Sequence, residues 1–470
     1  MNKNSLKRQF YRSGREYPAE KDMLCLSRGL LAAFYVTFLI SYILNNFYGS
    51  SRFVHLLASV VQIVYAPGMF FAAGLMAEEF QKKKENPTLA YSKTGVLFLG
   101  LYAFIGLFID VTLKDYALFT ALKKHFSGQM WTKWPDKDIR FRKPDAVRRY
   151  REELADEIDY HIFCQYLFRK QWFSLKKYCN ERSVLLFGDM PIYVAEDSAD
   201  TWTHPDIFQL DKNLVPKRVA GVPPDYFSAD GQLWGNPLYR WTYLRFSRKF
   251  DWWVDRMKGM AELYDMIRID HFIGFANYYS IKNGMPNARK GRWVIGPGKA
   301  LFRRLDQETP GIRIIAEDLG CVNRRVRRLL DWCGYPGMKV LTFGFDSDES
   351  NPHFIGLYEK NTVAYTGTHD NDTTLGWARK ADPKALAFAE KTLGFSGADE
   401  APEAFIRALF KSPCETVVIP MQDVLGLDTY ARMNYPGTIG NNWTWRMKPD
   451  QLSLDLSMKY YRLNRETDRL

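Results

Sequence analysis

The chain has 470 residues, of which 46% are hydrophobic and 15% aromatic, a composition that excludes a largely disordered protein and fits a sizeable buried core. Its net charge of +12 raises the question of nucleic-acid binding. However, residues 1–93 carry twelve Lys and Arg against six Asp and Glu, so half of the excess positive charge lies there, beside long apolar runs. Elsewhere basic residues mix with carboxylates along predicted helices, which indicates solvated faces and no nucleic-acid partner. Six scattered cysteines without a CxxC pair predict neither a disulfide framework nor a zinc site and fit a reducing compartment.

Three apolar runs occupy the N-terminal part of the chain. Residues 29–51 and 53–77 contain no Asp, Glu, Lys or Arg, and both runs have the length of a membrane-spanning helix. The third run, 94–109, has only 16 residues before Asp110 and is marginal for a span. The sequence therefore predicts a membrane-like helical segment over residues 1–112, with membrane association possible through residues 29–109.

Alternating strands and helices follow from residue 113 onward. Apolar runs typical of strands lie at 183–190, 265–270, 312–318, 338–345, 361–370 and 415–423. Helical patterns lie between them, the main ones at 151–182, 250–264, 297–310, 323–333 and 382–394. This spacing predicts parallel βαβ units, and therefore an α/β barrel or an open doubly wound sheet. Six strands are two fewer than a closed (β/α)8 barrel requires.

Carboxylates near the ends of four of the six predicted strands are candidate site residues. The residues are Asp189, Asp270, Glu317 with Asp318, and His369 with Asp370. An Asp after a strand is often only a helix N-cap, and we interpret Asp318 and Asp372 in that way. Capping does not require four such endings, two of them beside a His. In a (β/α)8 barrel the C-terminal ends of the strands are where the active site lies.

The stretch MIRIDHFIGF, residues 266–275, places charges at the centre of an apolar strand. Because side chains alternate along a strand, Arg268 and Asp270 lie on the same face, and such a pair alone is compatible with a structural ion pair. Clustered carboxylates suit glycoside chemistry, in which one carboxylate attacks the anomeric carbon and another protonates the leaving oxygen. An Arg keeps the first carboxylate ionised, while negative neighbours raise the pKa of the second.

An aromatic, Pro- and Gly-rich stretch at 220–239 is predicted to be a loop between strands. Its candidate sugar-binding residues are Asp225, Tyr226, Phe227, Trp234 and Asn236. The alternative is that the aromatic residues are ordinary packing residues.

Other chemistries lack their motifs: GPGKA at 296–300 is not a complete P-loop, and neither HExxH, GxSxG nor a strand followed by GxGxxG occurs. The sequence therefore predicts neither a metal nor an organic cofactor.

A family resemblance rests on six segments that occur in unbroken order. They are FGDMPIYVAEDSADTW, AGVPPDYFSADGQLWGNPLY, IRIDHFIGF, IIAEDLG, YTGTHDNDTTLGW and IPMQDVLGLDTYARMNYPGTIGNNWTWR. The chain from about Lys114 to its C-terminus resembles the 4-alpha-glucanotransferases, or amylomaltases, which are relatives of the alpha-amylases. Residues 1–112 loosely resemble a fragment of the multi-span membrane acyltransferases.

The resemblance implies a retaining transfer of a 1,4-alpha-glucan segment to the 4-OH of another glucan or glucose. It implies that Asp270 is the nucleophile, Glu317 the general acid and base, and Asp370 the third carboxylate, which grips the donor sugar. Arg268 would orient Asp270. It also implies that His369 and His271 hydrogen-bond sugar hydroxyls, that Asp189 belongs to the site, and that Tyr226 and Phe227 lie in an aromatic loop that arches over the cleft and excludes water. Asp225, Trp234 and Asn236 are substrate-binding candidates from the composition of the same loop.

The chain departs from the family at its N-terminal side, where two barrel strands and a donor-binding segment of the family have no counterpart. The expected fold is therefore α/β, an incomplete (β/α)8 barrel over 113–470 that follows the membrane-like segment. The expected function is glucan transfer on maltooligosaccharides or on glucans derived from starch or glycogen, with the catalytic part in the cytoplasm. The alternative is an inactive, truncated or misjoined chain.

Overall fold

The computed structural model describes residues 111–224, 228–320, 322–438 and 440–469. The three apolar runs of the N-terminal part lie outside these ranges, so the spans proposed there stay predictions. Within the described residues, no helix combines the length and the apolar character that crossing a membrane requires.

The α-helices of the described residues precede, separate and follow the parallel strands in sequence. In chain order they are α1 Val111–His125, α2 Lys137–Arg140, α3 Pro144–Glu153, α4 Ala155–Asn180, α5 Ala199–Thr203, α6 Trp241–Phe246, α7 Asp251–Leu263, α8 Ile273–Ala276, α9 Lys299–Glu308, α10 Arg324–Cys333, α11 Thr374–Lys380, α12 Pro383–Leu393, α13 Ala401–Lys411, α14 Met421–Val424 and α15 Leu454–Glu466.

The described strands form two parallel sheets and one antiparallel sheet. In chain order they are β1 Phe187–Met190, β2 Arg218–Val222, β3 Gln232–Pro237, β4 Met266–Ile269, β5 Asn277–Lys282, β6 Gly291–Ile295, β7 Arg313–Ala316, β8 Gly337–Val340, β9 Thr362–Tyr365 and β10 Thr416–Val418. The sheet orders are β1-β4-β7, β10-β9-β8 and β3-β2-β5-β6. Each of the six predicted strand segments overlaps one of the six parallel strands, which confirms the α/β class, although β8 begins one residue before its segment and residues 341–345 of that segment form a 3-10 helix.

The two parallel sheets join where β7 meets β8. The backbone N–H of Ala316 donates to the carbonyl of Pro336 at 2.9 Å, and the Asp318 carboxylate accepts the backbone N–H of Met338 at 2.7 Å. The six parallel strands therefore follow one another in chain order around a common interior. Asp318 is thus a bridge between strands, and its interpretation as a helix N-cap is wrong. Asp372 does not cap α11 either, because the Thr373 side chain does so.

Alternation along the parallel strands separates two packing environments. On one face, Ile267 and Ile269 of β4 belong to the large core that includes Trp253 of α7 and Phe302 of α9. On the opposite face, an apolar cluster fills the interior between the strands, formed by Ile315, Met338, Val363 and Tyr365. Arg268 extends into this interior, where its Nε lies 3.4 Å from the sulfur of Met338. Burial on both faces explains why these strands are almost entirely apolar in sequence.

The stretch 220–239 differs from the predicted loop. Its two ends are the strands β2 and β3, which pair antiparallel and continue through β5 into β6. Gly231 has φ +66° in the turn, where a Cβ would lie 2.5 Å from the carbonyl oxygen of Val222, so only glycine fits. Trp234 and Asn236 consequently lie on a strand. The glycine and proline content hid this hairpin, because a further glycine with positive φ, Gly235, interrupts the extended pattern.

We expect Trp253→Ala to lower the free energy of unfolding by about 3–5 kcal/mol, because its ring is fully buried and packs against Tyr239, Trp241 and Phe275. The matched control is Phe246→Ala, whose exposed ring predicts a change within about 0.5 kcal/mol. Urea unfolding followed by circular dichroism measures both. Equal losses in the two variants would contradict this assignment of the core.

Candidate functional site

Carboxylates meet where the parallel strands end. Asp189 lies on β1, Asp270 follows β4 directly, Glu317 follows β7 directly, and Asp370 lies in the segment after β9. Because parallel strands end at the same edge of a sheet, four residues distant in sequence come together there. The structure therefore brings together the four site carboxylates that the strand endings predicted.

Arg268 links two of these carboxylates from inside the sheet. Its guanidinium lies 2.6 Å from Asp189 Oδ2 and 3.1 Å from Asp270 Oδ1, and its side chain is buried. Asp189 and Arg268 are register partners on the paired strands β1 and β4, which fixes the first contact. Burial disfavours the guanidinium charge, but Asp189 and Asp270 outweigh this and raise the pKa of Arg268 above its usual value. The site thus contains a permanent buried cation.

Glu317 is the most enclosed of the four carboxylates, with 6% of the residue exposed. Its Oε2 accepts the backbone N–H of His271 at 2.7 Å, and its Oε1 accepts the backbone N–H of Leu319 at 2.8 Å. Burial, with a further contribution from the charge of Asp270, raises the pKa of Glu317 to about 8, against the opposing effects of Arg268 and the two N–H groups. At neutral pH this side chain is predominantly a carboxylic acid, fixed in orientation by the backbone.

Asp270 differs from Glu317 in access and in its partner. Its side chain keeps 41% of its surface exposed. Burial by the surrounding protein atoms nevertheless raises the pKa of Asp270, and the charge of Arg268 opposes that rise. The ion pair with Arg268 favours the charged form of Asp270. At Glu317 the two backbone N–H groups also favour the charged form, but the effect of burial on its pKa is larger. The pair therefore offers an accessible anion beside an enclosed acid, the division of roles expected when two carboxyl groups act as nucleophile and proton donor.

Asp370 is held by a segment that lies more than sixty residues further along the chain. Asn434 Nδ2 donates to Asp370 Oδ1 at 2.6 Å, and the guanidinium of Arg432 donates to the Asp370 carbonyl at 2.6 Å. His369 Nε2 lies 3.5 Å from Asp370 Oδ2, and its ring centroid is 5.0 Å from that of Trp443. Sequence reasoning gave Arg432, Asn434 and Trp443 no role, although all three lie in the last of the segments that carry the family resemblance.

His271 occupies an unusual position beside Glu317. Its φ is +50°, a region that non-glycine residues seldom adopt, and its buried ring meets the Trp234 ring edge-on at 4.8 Å. Burial lowers the pKa of His271 to about 4, so the ring is neutral at neutral pH. Its backbone N–H, and not its ring, contacts the candidate acid. The suggestion that its ring binds sugar hydroxyls stays a prediction.

The remaining predicted substrate-binding residues come from the stretch 220–239. Asn236 Nδ2 donates to the Val194 carbonyl at 2.9 Å, and Trp234 Nε1 donates to Gln232 Oε1 at 3.0 Å. Residues 225–227, which include the candidates Asp225, Tyr226 and Phe227, lie outside the described residues, so their roles stay predictions. Trp234 reaches the site through its contact with His271.

A cavity of about 250 Å³ adjoins the end of β9. The residues that line it include Arg268, Tyr365, His369, Thr373, Asp423 and Trp443. It extends from the interior of the parallel strands to the Asp370 segment. Another cavity, of about 380 Å³, lies between α13 and α15 and touches none of the four carboxylates. Among the described residues, no group of three or more His, Cys, Asp or Glu is arranged to hold a metal ion.

Comparison with known proteins connects this geometry to one family. Residues 108–453 match the family model described as 4-alpha-glucanotransferase. The 4-alpha-glucanotransferase of Clostridium butyricum is 44% identical over 361 residues, which cover 75% of this chain and 72% of that protein. The corresponding enzyme of Thermus thermophilus is 45% identical over 365 residues, which cover 76% and 73%.

A solved structure extends the similarity to the fold. The amylomaltase of Streptococcus agalactiae in complex with acarbose has a TM-score of 0.74 at 37% identity and covers 86% of this chain and 78% of its own. The loose resemblance of residues 1–112 to membrane acyltransferases finds no support in these comparisons, since the family match begins only at residue 108.

We expect Glu317 to titrate near pH 8, far above the ordinary glutamate value of 4.5. Asp270→Asn should lower this pKa, because it removes a neighbouring negative charge, yet leave it raised, because burial is the larger cause. Carbon-13 NMR of labelled glutamate carboxyl groups measures the titration, with Glu317→Gln to assign the signal. Asp265→Asn, at the opposite end of β4, is the control and should leave the value unchanged. Titration of Glu317 near 4.5 would contradict the enclosed setting.

Proposed function

Because this chain belongs to the 4-alpha-glucanotransferase family, we propose that its strand-end carboxylates transfer a 1,4-alpha-glucan segment to the 4-OH of an acceptor glucan or glucose, with retention of configuration. The donors and acceptors would be maltooligosaccharides and glucans derived from starch or glycogen. The observation that supports this most directly is the pairing of an accessible Asp270, held by Arg268, with an enclosed Glu317 whose pKa is about 8.

The proposed first half-reaction breaks the donor glycosidic bond. The Asp270 carboxylate attacks the anomeric carbon, while Glu317 gives its proton to the leaving oxygen, and a covalent glycosyl-aspartate forms as the shortened glucan departs. In the second half-reaction, the Glu317 carboxylate takes the proton of the acceptor 4-OH. That oxygen attacks the anomeric carbon and releases Asp270. Protons and bonds balance over the cycle without a cofactor.

The other residues of the site would orient the donor sugar and the nucleophile. Arg268 fixes Asp270 and keeps it ionised, and Asp189 anchors the far side of the same guanidinium. Asp370, with His369 beside it, would accept hydrogen bonds from sugar hydroxyls. Interactions that strengthen as the ring flattens toward an oxocarbenium ion favour the transition state over the bound substrate.

The aromatic stretch 220–239 would cover the cleft. Tyr226 and Phe227, with Asp225 beside them, would exclude water so that an acceptor sugar, and not water, reaches the glycosyl-aspartate. Trp234 and Asn236 would contribute from the neighbouring strand β3. We assign this covering role from the family resemblance, and the contact of Trp234 with His271 supports it.

The proposed domain organisation is a catalytic domain over 113–470, acting in the cytoplasm, that follows a separate segment over 1–112. The described part of this domain has six of the eight strands of a (β/α)8 barrel, with β1 and β10 as its outer strands. The long helix α4, next to β1 in sequence, exposes a row of apolar side chains: Tyr160, Phe163, Phe168, Leu175 and Tyr178. These observations favour a second candidate, a chain that keeps the family site without a barrel complete enough to use it.

Incubation of the whole chain with maltotriose separates these two candidates. Active transfer predicts glucose together with a ladder of longer maltooligosaccharides, resolved by length. Asp270→Ala should abolish the ladder, because no covalent intermediate can form. Folded wild-type protein that gives no ladder would refute the transferase proposal for this chain and support the incomplete-barrel candidate.

The pH dependence of transfer should report the two carboxylates. We expect kcat/KM for maltotriose to fall as the pH rises through about 8, because Glu317 then loses the proton that the leaving oxygen needs. On the acid side, kcat/KM should fall as Asp270 becomes protonated and loses its nucleophilic charge. A rate that stayed constant from about pH 7 to about pH 10 would contradict the assignment of Glu317 as the acid.

A further inference from the structure

A buried carboxylate outside the four strand-end residues connects the two ends of the Asp370 segment. Asp423 lies in α14, a few residues after β10, and only 2% of it is exposed. Its Oδ2 accepts the hydroxyl groups of Thr366 at 2.5 Å and Thr374 at 2.8 Å, and its Oδ1 accepts the backbone N–H of Thr374 at 2.7 Å. All three donors are uncharged.

The positions of these donors define a closed loop. Thr366 directly follows the last residue of β9, and Thr374 is the first residue of α11. Asp370 lies midway between them, four residues from each. Because Asp423 is almost fully buried, these three hydrogen bonds are shielded from competing water. Asp423 therefore fixes both points at which the loop leaves the fold.

The residue before Asp423 reaches the other support of Asp370. Gln422 is buried, and its Nε2 donates to the Ala431 carbonyl at 3.2 Å. Ala431 precedes Arg432, which with Asn434 holds Asp370 directly. The two consecutive side chains of α14 thus contact both segments that determine where the Asp370 carboxylate lies.

We propose that Asp423 is a positioning residue for glucan binding, which acts through the loop 366–374 to hold Asp370 against the donor sugar. This inference rests on the proposed role of Asp370. In this proposal Asp423 acts only through the loop, so its effect depends on Asp370 being present. A residue that served folding alone would instead act on stability, whatever residue stood at 370.

The test measures acarbose binding by calorimetry, which needs no turnover, at a temperature where circular dichroism shows each variant folded. We expect Asp423→Ala to weaken acarbose binding by about tenfold or more, and Asp370→Ala to weaken it at least as much. The double variant should bind no worse than Asp370→Ala, because the loop then has no carboxylate left to position. Asp265→Ala is the control: it also loses a carboxylate that accepts a backbone N–H, but at the opposite end of β4, and should bind acarbose like the wild type.

Unaltered binding by Asp423→Ala, or losses that add fully in the double variant, would overturn the proposal. If Asp423→Ala fails to fold, Thr374→Val with Thr366→Val removes two of the three donors and should weaken binding in the same direction. Wild-type protein that binds acarbose but makes no ladder from maltotriose would refute the transferase proposal and leave this one standing. If the wild type does not bind acarbose, the test is hydrogen exchange of the backbone amides of residues 366–374. Equal protection of these amides in the wild type and in Asp423→Ala would overturn the inference, whereas loss of protection in the variant would support it.

Discussion

The buried guanidinium of Arg268 is the constraint on which the rest of the site depends. A cation inside a sheet interior, among Met338 and Tyr365, is costly unless anions surround it, and Asp189 and Asp270 provide them. The same charge keeps Asp270 available as an anion despite the protein atoms around it. The Arg268 side chain thus contacts the apolar interior through Met338 and the site carboxylates through its terminal nitrogens. This explains why an apolar strand contains an arginine at its centre.

The carboxyl groups at the ends of the strands differ in their exposure and in the partners that hold them. Asp270 is paired and accessible, whereas Glu317 lies deeper and is held by backbone N–H groups that do not outweigh its burial. The Asp370 carboxylate accepts a hydrogen bond from the neutral Asn434, while the Arg432 guanidinium donates to the Asp370 backbone carbonyl. Three carboxyl groups within one cleft therefore have different electrostatic settings, although the sequence shows each only as an acidic residue after a strand. Environment, and not residue type, separates their chemistry.

The sequence predicted this centre well because its signal is local. Alternation placed Arg268 and Asp270 on one face, and strand endings identified Asp189, Glu317 and Asp370 without knowledge of the fold. Prediction failed where the deciding contact joins distant segments. Asn434 meets Asp370 across 64 positions, and the amide that Asp318 accepts lies 20 positions away on the next strand. The β2–β3 hairpin was missed for another reason, since glycines with positive φ weaken the alternation that identifies a strand.

The backbone contacts of Glu317 bear on both half-reactions of the proposed cycle. Both of its oxygens are already held by N–H groups of the strand ends, so the carboxyl group has the same orientation whether or not it carries its proton. Glu317 therefore need not rotate between giving its proton to the leaving oxygen and taking a proton from the acceptor hydroxyl. Since the bond broken and the bond made are of the same kind, neither direction gains much enthalpy. The chain lengths produced by such a site should then be governed by the entropy of mixing, and a single pure glucan would spread into a broad distribution.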